Sequence, residues 1–217
     1  MKVFVLGSCR VWKTAQEFKW LVHDFEHSVI QCHYADEILQ RLMWLSDDTK
    51  KTLTPAEKKS FRTDMTCKRW LSLRQRFRES EMIFIEVSSI KKSLHDDDIF
   101  TNLLRGCPSA ISSNKCIGEN IKTIYKTVLN ENKKCIFFPH VNVYCKKIMG
   151  YITNRTCLQD IFREVSRTIR ITVVDPTEIV ATFGQNRCMQ HINGRLDVNH
   201  YTTYMIQKLG YYIQATF

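Results

Sequence analysis

Two short segments near opposite ends of the chain carry the residue types of a nucleophilic triad. Ser8 lies in a Gly-Ser-Cys turn directly after the apolar run Val3–Leu6, and Asp197 and His200 form an Asp-x-x-His pair near the C-terminus. A serine hydroxyl is a weak nucleophile until an imidazole takes its proton and a carboxylate orients that imidazole. The pattern predicts Ser8 as nucleophile, His200 as general base and Asp197 as the orienting carboxylate.

Each member of this set also has a structural interpretation. Ser8 fits the N-cap of a helix after the turn, because a serine hydroxyl often accepts a hydrogen bond from an early helix amide. Asp197 fits the start of a later helix for the same reason. Cys9 is either a small buried residue or a rival thiol nucleophile. The triad is the preferred interpretation because His200 supplies the base that Ser8 needs.

Strands and helices that would position these residues alternate along the chain. Five short, almost continuously apolar segments predict strands that are buried on both faces: Val3–Leu6, Val29–Cys32, Met82–Val87, Cys135–Pro139 and Ile171–Val174. Apolar residues recur at helical spacing in Ala35–Leu45, Met65–Phe77, Glu119–Leu129, Thr156–Ile169 and Tyr201–Leu209. The alternation predicts an α/β three-layer sandwich. We expect a five-stranded parallel sheet in the flavodoxin-like order 2-1-3-4-5, forming a single domain over residues 1–217.

Polar residues follow the predicted strands at the edge where open parallel sheets bind ligands. Besides the triad, the candidates for oxyanion stabilisation or substrate binding are Arg10, His33, Ser88, Ser89, His140 and Asn142. Arg10 would bind an anionic group or form a salt bridge, and the two histidines fit pocket walls or hydrogen-bonded positions. Glu86 is unexpected in a buried strand and needs a partner such as Arg10, Lys91 or a ligand.

Two segments interrupt the alternation. Ser46–Ser60 is polar and contains Pro55, which predicts a loop or a short helical excursion. Lys91–Cys116 is the longest segment without a regular pattern. A long loop beside a strand end is often functional.

The bulk composition narrows the class of protein. The chain has 217 residues, 44% of them hydrophobic, which is enough for one sizeable core. Its net charge of +10 favours anionic partners. The basic residues are spread in pairs, and the chain has neither a Gly-rich phosphate loop nor a clustered basic stripe. Nucleic acid is therefore disfavoured as a partner, although the charge alone leaves it open.

Location, cysteine chemistry and metal binding are judged from shorter patterns. No apolar run is long enough for a transmembrane helix, and the N-terminus lacks the pattern of a secretory signal, so we expect a cytoplasmic protein. The nine cysteines show no disulfide framework and fit reduced thiols. Cys188-x-x-His191 is half a metal site with no second pair. The sequence thus predicts no metal site.

The chain resembles the SGNH, or GDSL-like, hydrolase superfamily. Gly7-Ser8-Cys9 stands where that family places its nucleophile in a Gly-Asp-Ser turn, and Asp197-Val198-Asn199-His200 matches its last block. The Gly-Ser-Cys turn is most similar to the GSCFA branch and its polysaccharide-acyltransferase-like relatives. The resemblance implies the same roles for Ser8, Asp197 and His200, on a fold of the SGNH type.

The middle blocks of the family are altered in this chain. Gly7 stands where the family has aspartate, and Glu86-Val87-Ser88-Ser89 stands where Gly-x-Asn-Asp is expected. That block helps to build the family's oxyanion hole. The donors here would be the Ser8 amide and a polar group of Ser88, Ser89 or Asn142. Loss of one such donor can cost about a hundredfold or more in rate.

The function expected from this resemblance is a serine esterase or an O-acyltransferase. Few apolar lid segments are visible, so the acyl ester would belong to a glycan or another polar small molecule. No cofactor is predicted, but a transferase would use an activated donor such as an acyl-CoA, which the basic charge suits. The alternative is an inactive SGNH-like module that binds carbohydrate or an anionic ligand, and the altered middle blocks favour that alternative.

Overall fold

The computed structural model describes residues 1–61, 64–95, 99–101 and 109–216. Its strands are β1 (Val3–Leu6), β2 (Val29–Ile30), β3 (Met82–Val87), β4 (Lys91–His95), β5 (Ile99–Phe100), β6 (Ser109–Ile111), β7 (Lys134–Pro139), β8 (Met189–Ile192) and β9 (Arg195–Tyr201). Its helices are α1 (Cys9–Glu17), α2 (Phe25–Ser28), α3 (Ala35–Ser46), α4 (Pro55–Lys59), α5 (Cys67–Glu79), α6 (Asn114–Asn130), α7 (Thr153–Thr168), α8 (Pro176–Phe183), α9 (Gln185–Cys188) and α10 (Thr203–Ala215). A short 3-10 helix covers Lys146–Ile148.

A parallel sheet in the order β2-β1-β3-β7 forms the centre of the molecule. Val3 pairs with Met82 and Leu6 with Ile85, so the ends of β1 and β3 lie side by side. Side chains alternate between two cores: Phe4 packs into one and Val5 into the other. This alternation explains why the strands are apolar throughout, since neither face of the sheet meets water.

Helices cover both faces of this sheet, as the three-layer prediction requires. Helices α3, α5, α6 and α7 contribute the apolar stripes of the first core, and α1, α8 and α10 contribute those of the second. Trp70 of α5 and Phe137 of β7 are among the largest fully buried side chains of the first core. The α/β sandwich is therefore confirmed.

The prediction of a fifth strand is wrong. Ile171–Val174 makes one isolated bridge, in which Phe137 N–H donates to Thr172 O and Val174 N–H donates to Phe137 O, both at 2.9 Å. Pro176 begins α8 two residues after Val174, and the helical turn carries the chain away from β7 before a ladder can form. The central sheet thus has four strands, in the predicted order for those four.

The segment Lys91–Cys116 is more regular than the sequence predicts. Its described part contains an antiparallel sheet in the order β5-β4-β6 and the first turn of α6, while residues 96–98 and 102–108 lie outside the described residues. The segment Ser46–Ser60 contains a short helix, α4, which was one of the two alternatives predicted for it. Thr54 and Glu57 close the N-terminus of that helix with a capping box.

The chain also forms a hairpin that was not predicted, between β8 and β9. Its turn is Asn193-Gly194, with φ angles of 52° and 72°. Asn-Gly is the strongest local hairpin signal because both residues accept positive φ. The predicted helix over Tyr201–Leu209 consequently starts later, at Thr203, after β9 has ended.

No helix within the described ranges combines the length and the apolar character needed to cross a bilayer.

Candidate functional site

Ser8 lies just beyond the carboxyl end of β1 and caps α1. Its Oγ accepts a hydrogen bond from Arg10 N–H at 3.4 Å, so the N-cap interpretation of this serine holds alongside any chemical role. Gly7 precedes it where β1 runs beside β3. A Cβ at Gly7 would approach Glu86 Cβ to 2.8 Å, a distance that side chains do not tolerate. The glycine therefore allows the two strand ends to pack closely.

Glu86 is the centre of a buried polar cluster at this point. Its side chain is only 1% exposed. Glu86 Oε2 accepts a hydrogen bond from the Ser8 amide at 2.8 Å and a second, short one from the Ser8 hydroxyl. The same carboxylate atom thus engages the predicted nucleophile and the predicted oxyanion donor together.

Arg10 completes this cluster on the other side of the carboxylate. Arg10 Nε donates to Glu86 Oε1 at 2.6 Å, and both side chains are buried. Burial alone would lower the pKa of Arg10, but the charge of Glu86 and the hydrogen bond between them raise it overall. Arg10 is therefore the partner that the buried carboxylate of Glu86 needs.

Asp197 and His200 form a direct pair on β9. His200 Nδ1 and Asp197 Oδ2 are 2.6 Å apart, and the Asn199 amide donates to the other carboxylate oxygen at 2.8 Å. Burial alone would raise the pKa of Asp197, but the hydrogen bonds from His200 and the Asn199 amide lower it overall. An imidazole held through Nδ1 presents Nε2 as its remaining proton acceptor. The alternative interpretation of Asp197 as the start of a helix is wrong, because both residues lie within a strand and Thr202 caps the following helix.

The two halves of the predicted triad are not hydrogen-bonded to one another. Within the part of the chain that the structure describes, no hydrogen bond joins Ser8 to His200, and the Ser8 hydroxyl is bound to Glu86 instead. The His200 side chain is 45% exposed, whereas Ser8 is 4% exposed. The predicted base is therefore open to solvent, while the predicted nucleophile is enclosed.

Two buried arginines nevertheless connect the halves. Arg10 donates to Asn199 O at 3.0 Å, which links the Ser8 cluster to the strand of His200. Arg155 of α7 donates to Val198 O at 2.8 Å and to Asn199 Oδ1 at 2.7 Å. Burial, together with the charge of Arg10, lowers the pKa of Arg155 to about 10. Both arginines thus hold the backbone between Asp197 and His200.

Arg155 was missed by the sequence analysis. It belongs to no motif, and its side chain is buried in the structure. It does share the apolar stripe of α7 with Leu158 and Phe162, at the helical spacing i, i+3, i+7. A charged residue on a buried stripe needs a specific partner, and that signal could have identified it.

His33, Ser88 and His140 form a second polar chain behind the strand ends. His33 Nδ1 lies 3.0 Å from Ser88 Oγ, and the Ser88 and Ser89 amides donate to His33 O at 2.8 and 2.9 Å. His140 Nδ1 bonds to Ser88 O at 2.9 Å, which fixes the proton on that nitrogen. Burial, followed by the charges of Arg10 and Arg155, lowers the pKa of His140 well below its ordinary value. His140 is therefore neutral at physiological pH.

The remaining predicted oxyanion donors have structural partners in this state. Asn142 Nδ2 donates to Thr156 Oγ1 at 2.9 Å, and its Oδ1 accepts from the Ile152 amide at 3.1 Å. Ser89 Oγ accepts from the Lys91 amide at 3.0 Å. Asn142 thus ties the loop after β7 to the start of α7. Its role toward a substrate, like that of Ser89, stays a prediction.

The fold is similar to that of solved esterase and lipase structures. The chain has 12% identity to the crystal structure of the lipase/acylhydrolase from Enterococcus faecalis, with 99% of this chain and 94% of that chain covered and a TM-score of 0.53. A carbohydrate esterase family 3 structure from Talaromyces cellulolyticus has 10% identity, 100% and 95% coverage, and a TM-score of 0.51. The chain therefore has the SGNH-type three-layer fold that the sequence resemblance implied, with four strands in its sheet.

The family assignment is narrower than the fold class. The TviD N-terminal domain family matches residues 100–215, just over half of the chain. The protein belongs to the TviD N-terminal domain family. No curated protein sequence matches the chain. The likeness to the GSCFA branch stays a prediction.

Proposed function

We propose that the protein is an SGNH-type ester hydrolase or O-acyltransferase with Ser8 as nucleophile. The observation that carries this proposal is the 2.6 Å contact between His200 Nδ1 and Asp197 Oδ2. An exposed imidazole oriented by a partly buried carboxylate is the arrangement that a serine nucleophile requires. Arg10 and Arg155 further support it, because both hold this pair in place from buried positions.

In the proposed reaction, Ser8 Oγ attacks the carbonyl carbon of an acyl ester. His200 Nε2 accepts the hydroxyl proton and returns it to the leaving alcohol, and Asp197 stabilises the imidazolium formed in between. Water then attacks the acyl-serine, or a hydroxyl group of an acceptor does so, with His200 again taking the proton. The first outcome is hydrolysis and the second is acyl transfer.

Glu86 imposes a condition on this reaction. Its Oε2 accepts hydrogen bonds from both the Ser8 hydroxyl and the Ser8 amide. An oxyanion that formed at this amide would meet the same carboxylate, and two negative charges at hydrogen-bonding distance repel strongly. Before attack, Ser8 must therefore release Glu86, so that its hydroxyl can bind His200 and its amide can bind the substrate. The structure as described corresponds to a resting arrangement in this proposal.

The substrate class proposed is an acyl ester of a glycan or another polar molecule. The similarity in fold to a carbohydrate esterase is compatible with this class. The net charge of +10 suits an anionic substrate or an acyl-CoA donor. Buried arginines at the site, Arg10 and Arg155, have their described hydrogen bonds to protein groups, so they position the site rather than offer an open anion pocket.

A second candidate function is a binding module without catalysis. It is favoured by one observation, that Glu86 holds Ser8 and fills the predicted oxyanion position in an enclosed cluster. If that arrangement is permanent, the protein has the fold and the exposed His200 but does not catalyse the reaction.

A fluorophosphonate probe followed by peptide mapping separates these two candidates. If the protein is an enzyme, the probe should label Ser8 covalently, and Ser8→Ala should abolish the labelling. The control Cys9→Ala, which keeps Ser8, should still be labelled. Acetylated sugars and aryl esters then test turnover. A folded wild-type protein without labelling or turnover, whose glycan binding survives Ser8→Ala, would establish the binding module instead.

A further inference from the structure

A compact cluster of metal-ligand side chains lies away from the Ser8 cluster, in the segment between α1 and β2. His23, Asp24 and His27 each offer one ligand atom, and these atoms all lie within 4.8 Å of one another. His23 Nδ1 is 3.0 Å from Asp24 Oδ2, and His27 Nδ1 is 2.8 Å from Asp24 Oδ1. The carboxylate thus stands between two imidazoles.

Local hydrogen bonds fix the backbone that carries the cluster. Asp24 caps α2 and accepts from the His27 amide at 3.0 Å, which brings His27 over the carboxylate. The His23 amide donates to the buried Ser28 hydroxyl at 2.9 Å. Phe25 of α2 packs against Trp12 of α1, with ring centroids 4.5 Å apart. The ligands are therefore held on an anchored turn.

The spacing of the ligand atoms fits a transition-metal ion. Zinc bonds imidazole nitrogen and carboxylate oxygen at about 2.0–2.2 Å in a tetrahedral arrangement, which places ligand atoms about 3.3 Å apart. The three ligand atoms, one from each residue, lie within 4.8 Å of one another, and the 2.8 and 3.0 Å contacts join the two imidazoles to different oxygens of the carboxylate. Side-chain rotations that shorten the longest separation by up to about 1.5 Å would complete three of four positions and leave the fourth to water.

We propose that His23, Asp24 and His27 bind one zinc-type divalent transition-metal ion. Two imidazoles and one carboxylate favour zinc, copper or nickel over magnesium and calcium, which prefer oxygen ligands. On binding, each neutral imidazole gives Nδ1 to the metal and carries its proton on Nε2. The ion replaces the present contacts with Asp24 and needs no other reactant.

The proposed ion would act on the fold and not on the Ser8 chemistry. The cluster precedes β2, at the opposite end of that strand from the edge that Ser8 occupies on β1. The segment before it is joined to β1, because the Val22 amide donates to Val3 O at 3.2 Å. A metal here would clip the connection between α1 and the sheet, and a ligand that binds only the folded state raises thermal stability.

Calorimetric titration of the full chain with Zn²⁺ tests the proposal, after alkylation of accessible thiols, which also bind zinc. Wild type and the control His191→Gln, an exposed histidine of the β8–β9 hairpin, should bind one equivalent that His23→Gln/His27→Gln lacks. Asp24→Asn should weaken binding at least about tenfold while keeping the helix cap, because asparagine caps as well as aspartate.

Melting temperature provides a second readout that does not depend on catalysis. Zinc should raise it in wild type and in His191→Gln, and leave it unchanged in His23→Gln/His27→Gln. Because the three ligands lie on the surface turn, we expect the variants to fold, and their melting temperatures without zinc verify this. Equal zinc binding by wild type and the double variant, or no binding by either, would overturn the proposal.

Discussion

The Ser8 side and the His200 side of the site are built in contrasting ways. Ser8 stands at the end of a central strand, with its amide and hydroxyl inside a buried cluster around Glu86. His200 stands on a peripheral hairpin strand, half exposed, and bound to Asp197 through Nδ1. The first is fixed by the core of the sheet, and the second is fixed by two arginines that reach it from α1 and α7.

From this difference we expect the Ser8 side to be the rigid part of the site and the His200 side to be the adjustable part. Strand ends inside a close-packed core have little freedom. A two-stranded hairpin is only marginally stable by itself and depends on such contacts as those of Arg155. Any rearrangement that brings His200 to Ser8 would therefore involve the hairpin and the Glu86 rotamer more than the sheet.

Removal of the nucleophile should give the largest effect. Ser8→Ala is expected to reduce ester turnover at least about a thousandfold, because the residual rate comes from binding and oxyanion contacts alone. Substrate affinity should change little, since one hydroxyl is lost. Steady-state kinetics with an aryl ester measures both quantities, and Cys9→Ala serves as the neighbouring control. Full activity of Ser8→Ala would assign the chemistry to another residue.

Neutralising the buried carboxylate tests the rigid side. Glu86→Gln leaves the Arg10 charge buried without its counter-charge, and we expect a loss of about 3 kcal/mol in unfolding free energy. Urea denaturation measures it. The double variant Arg10→Met/Glu86→Gln should recover part of this loss, because no unpaired charge remains.

The same variant distinguishes a restraining from an essential role of Glu86. If Glu86 holds Ser8 in a resting arrangement, Glu86→Gln should label faster with a fluorophosphonate than wild type at the same folded fraction. Slower labelling would mean that Glu86 helps to activate or position Ser8, and would remove the contrast drawn between the two sides.

Loosening the hairpin tests the adjustable side. Arg155→Met removes the hydrogen bonds to Val198 O and to Asn199 Oδ1. We expect kcat to fall about 10- to 100-fold, since a misplaced base costs that order of rate. The control is Arg163→Met on the same helix, whose partner Asp160 is exposed. Equal effects of both substitutions would argue for a general loss of α7 stability.

The smallest effect concerns His140 and the pH dependence of stability. Its folded pKa is well below the ordinary 6.5, because of burial and of the nearby arginines. Below about pH 6.5 the unfolded chain takes up a proton that the folded chain does not, so stability falls as pH falls. One such group contributes at most about 1.4 kcal/mol per pH unit.

His140→Asn should flatten that slope between about pH 6.5 and the lower folded pKa. Denaturation curves at several pH values, each compared with the value at pH 8 where both states are neutral at this position, isolate the effect. An unchanged slope would show that burial does not lower the pKa of His140, because the folded and unfolded chains would then take up this proton over the same pH range.

The central strands were predictable because burial on both faces leaves a direct trace in the sequence. β1 and β3 lie at the predicted residues, and the predicted helices contain the observed core stripes. The prediction of a fifth strand was wrong because its apolar residues pack against the two cores but make only an isolated bridge to β7. Such pairing depends on the path of the chain after Val174, which no local pattern encodes.

The candidate site was partly predictable for a different reason. The residue types and order of Ser8, Asp197 and His200 are visible in the sequence, and Arg10 was one of the partners considered for Glu86. The hairpin that carries His200 had a signal in Asn193-Gly194 that was overlooked. The hydrogen bond between the Ser8 hydroxyl and Glu86 depends on the close approach of β1 and β3, which only the packed structure contains.

The close contact at Gly7 couples two positions at which this chain differs from the SGNH pattern that it resembles. The turn lacks its usual aspartate at Gly7, and Glu86 stands where the third block usually has glycine. Since any Cβ at Gly7 would collide with Glu86 Cβ at 2.8 Å, the two positions share room for one side chain. In this chain that side chain is the acidic group of Glu86, on the strand that faces the turn. Gly7→Asp alone would therefore create a steric clash, whereas Gly7→Asp combined with Glu86→Gly would leave room for the new side chain.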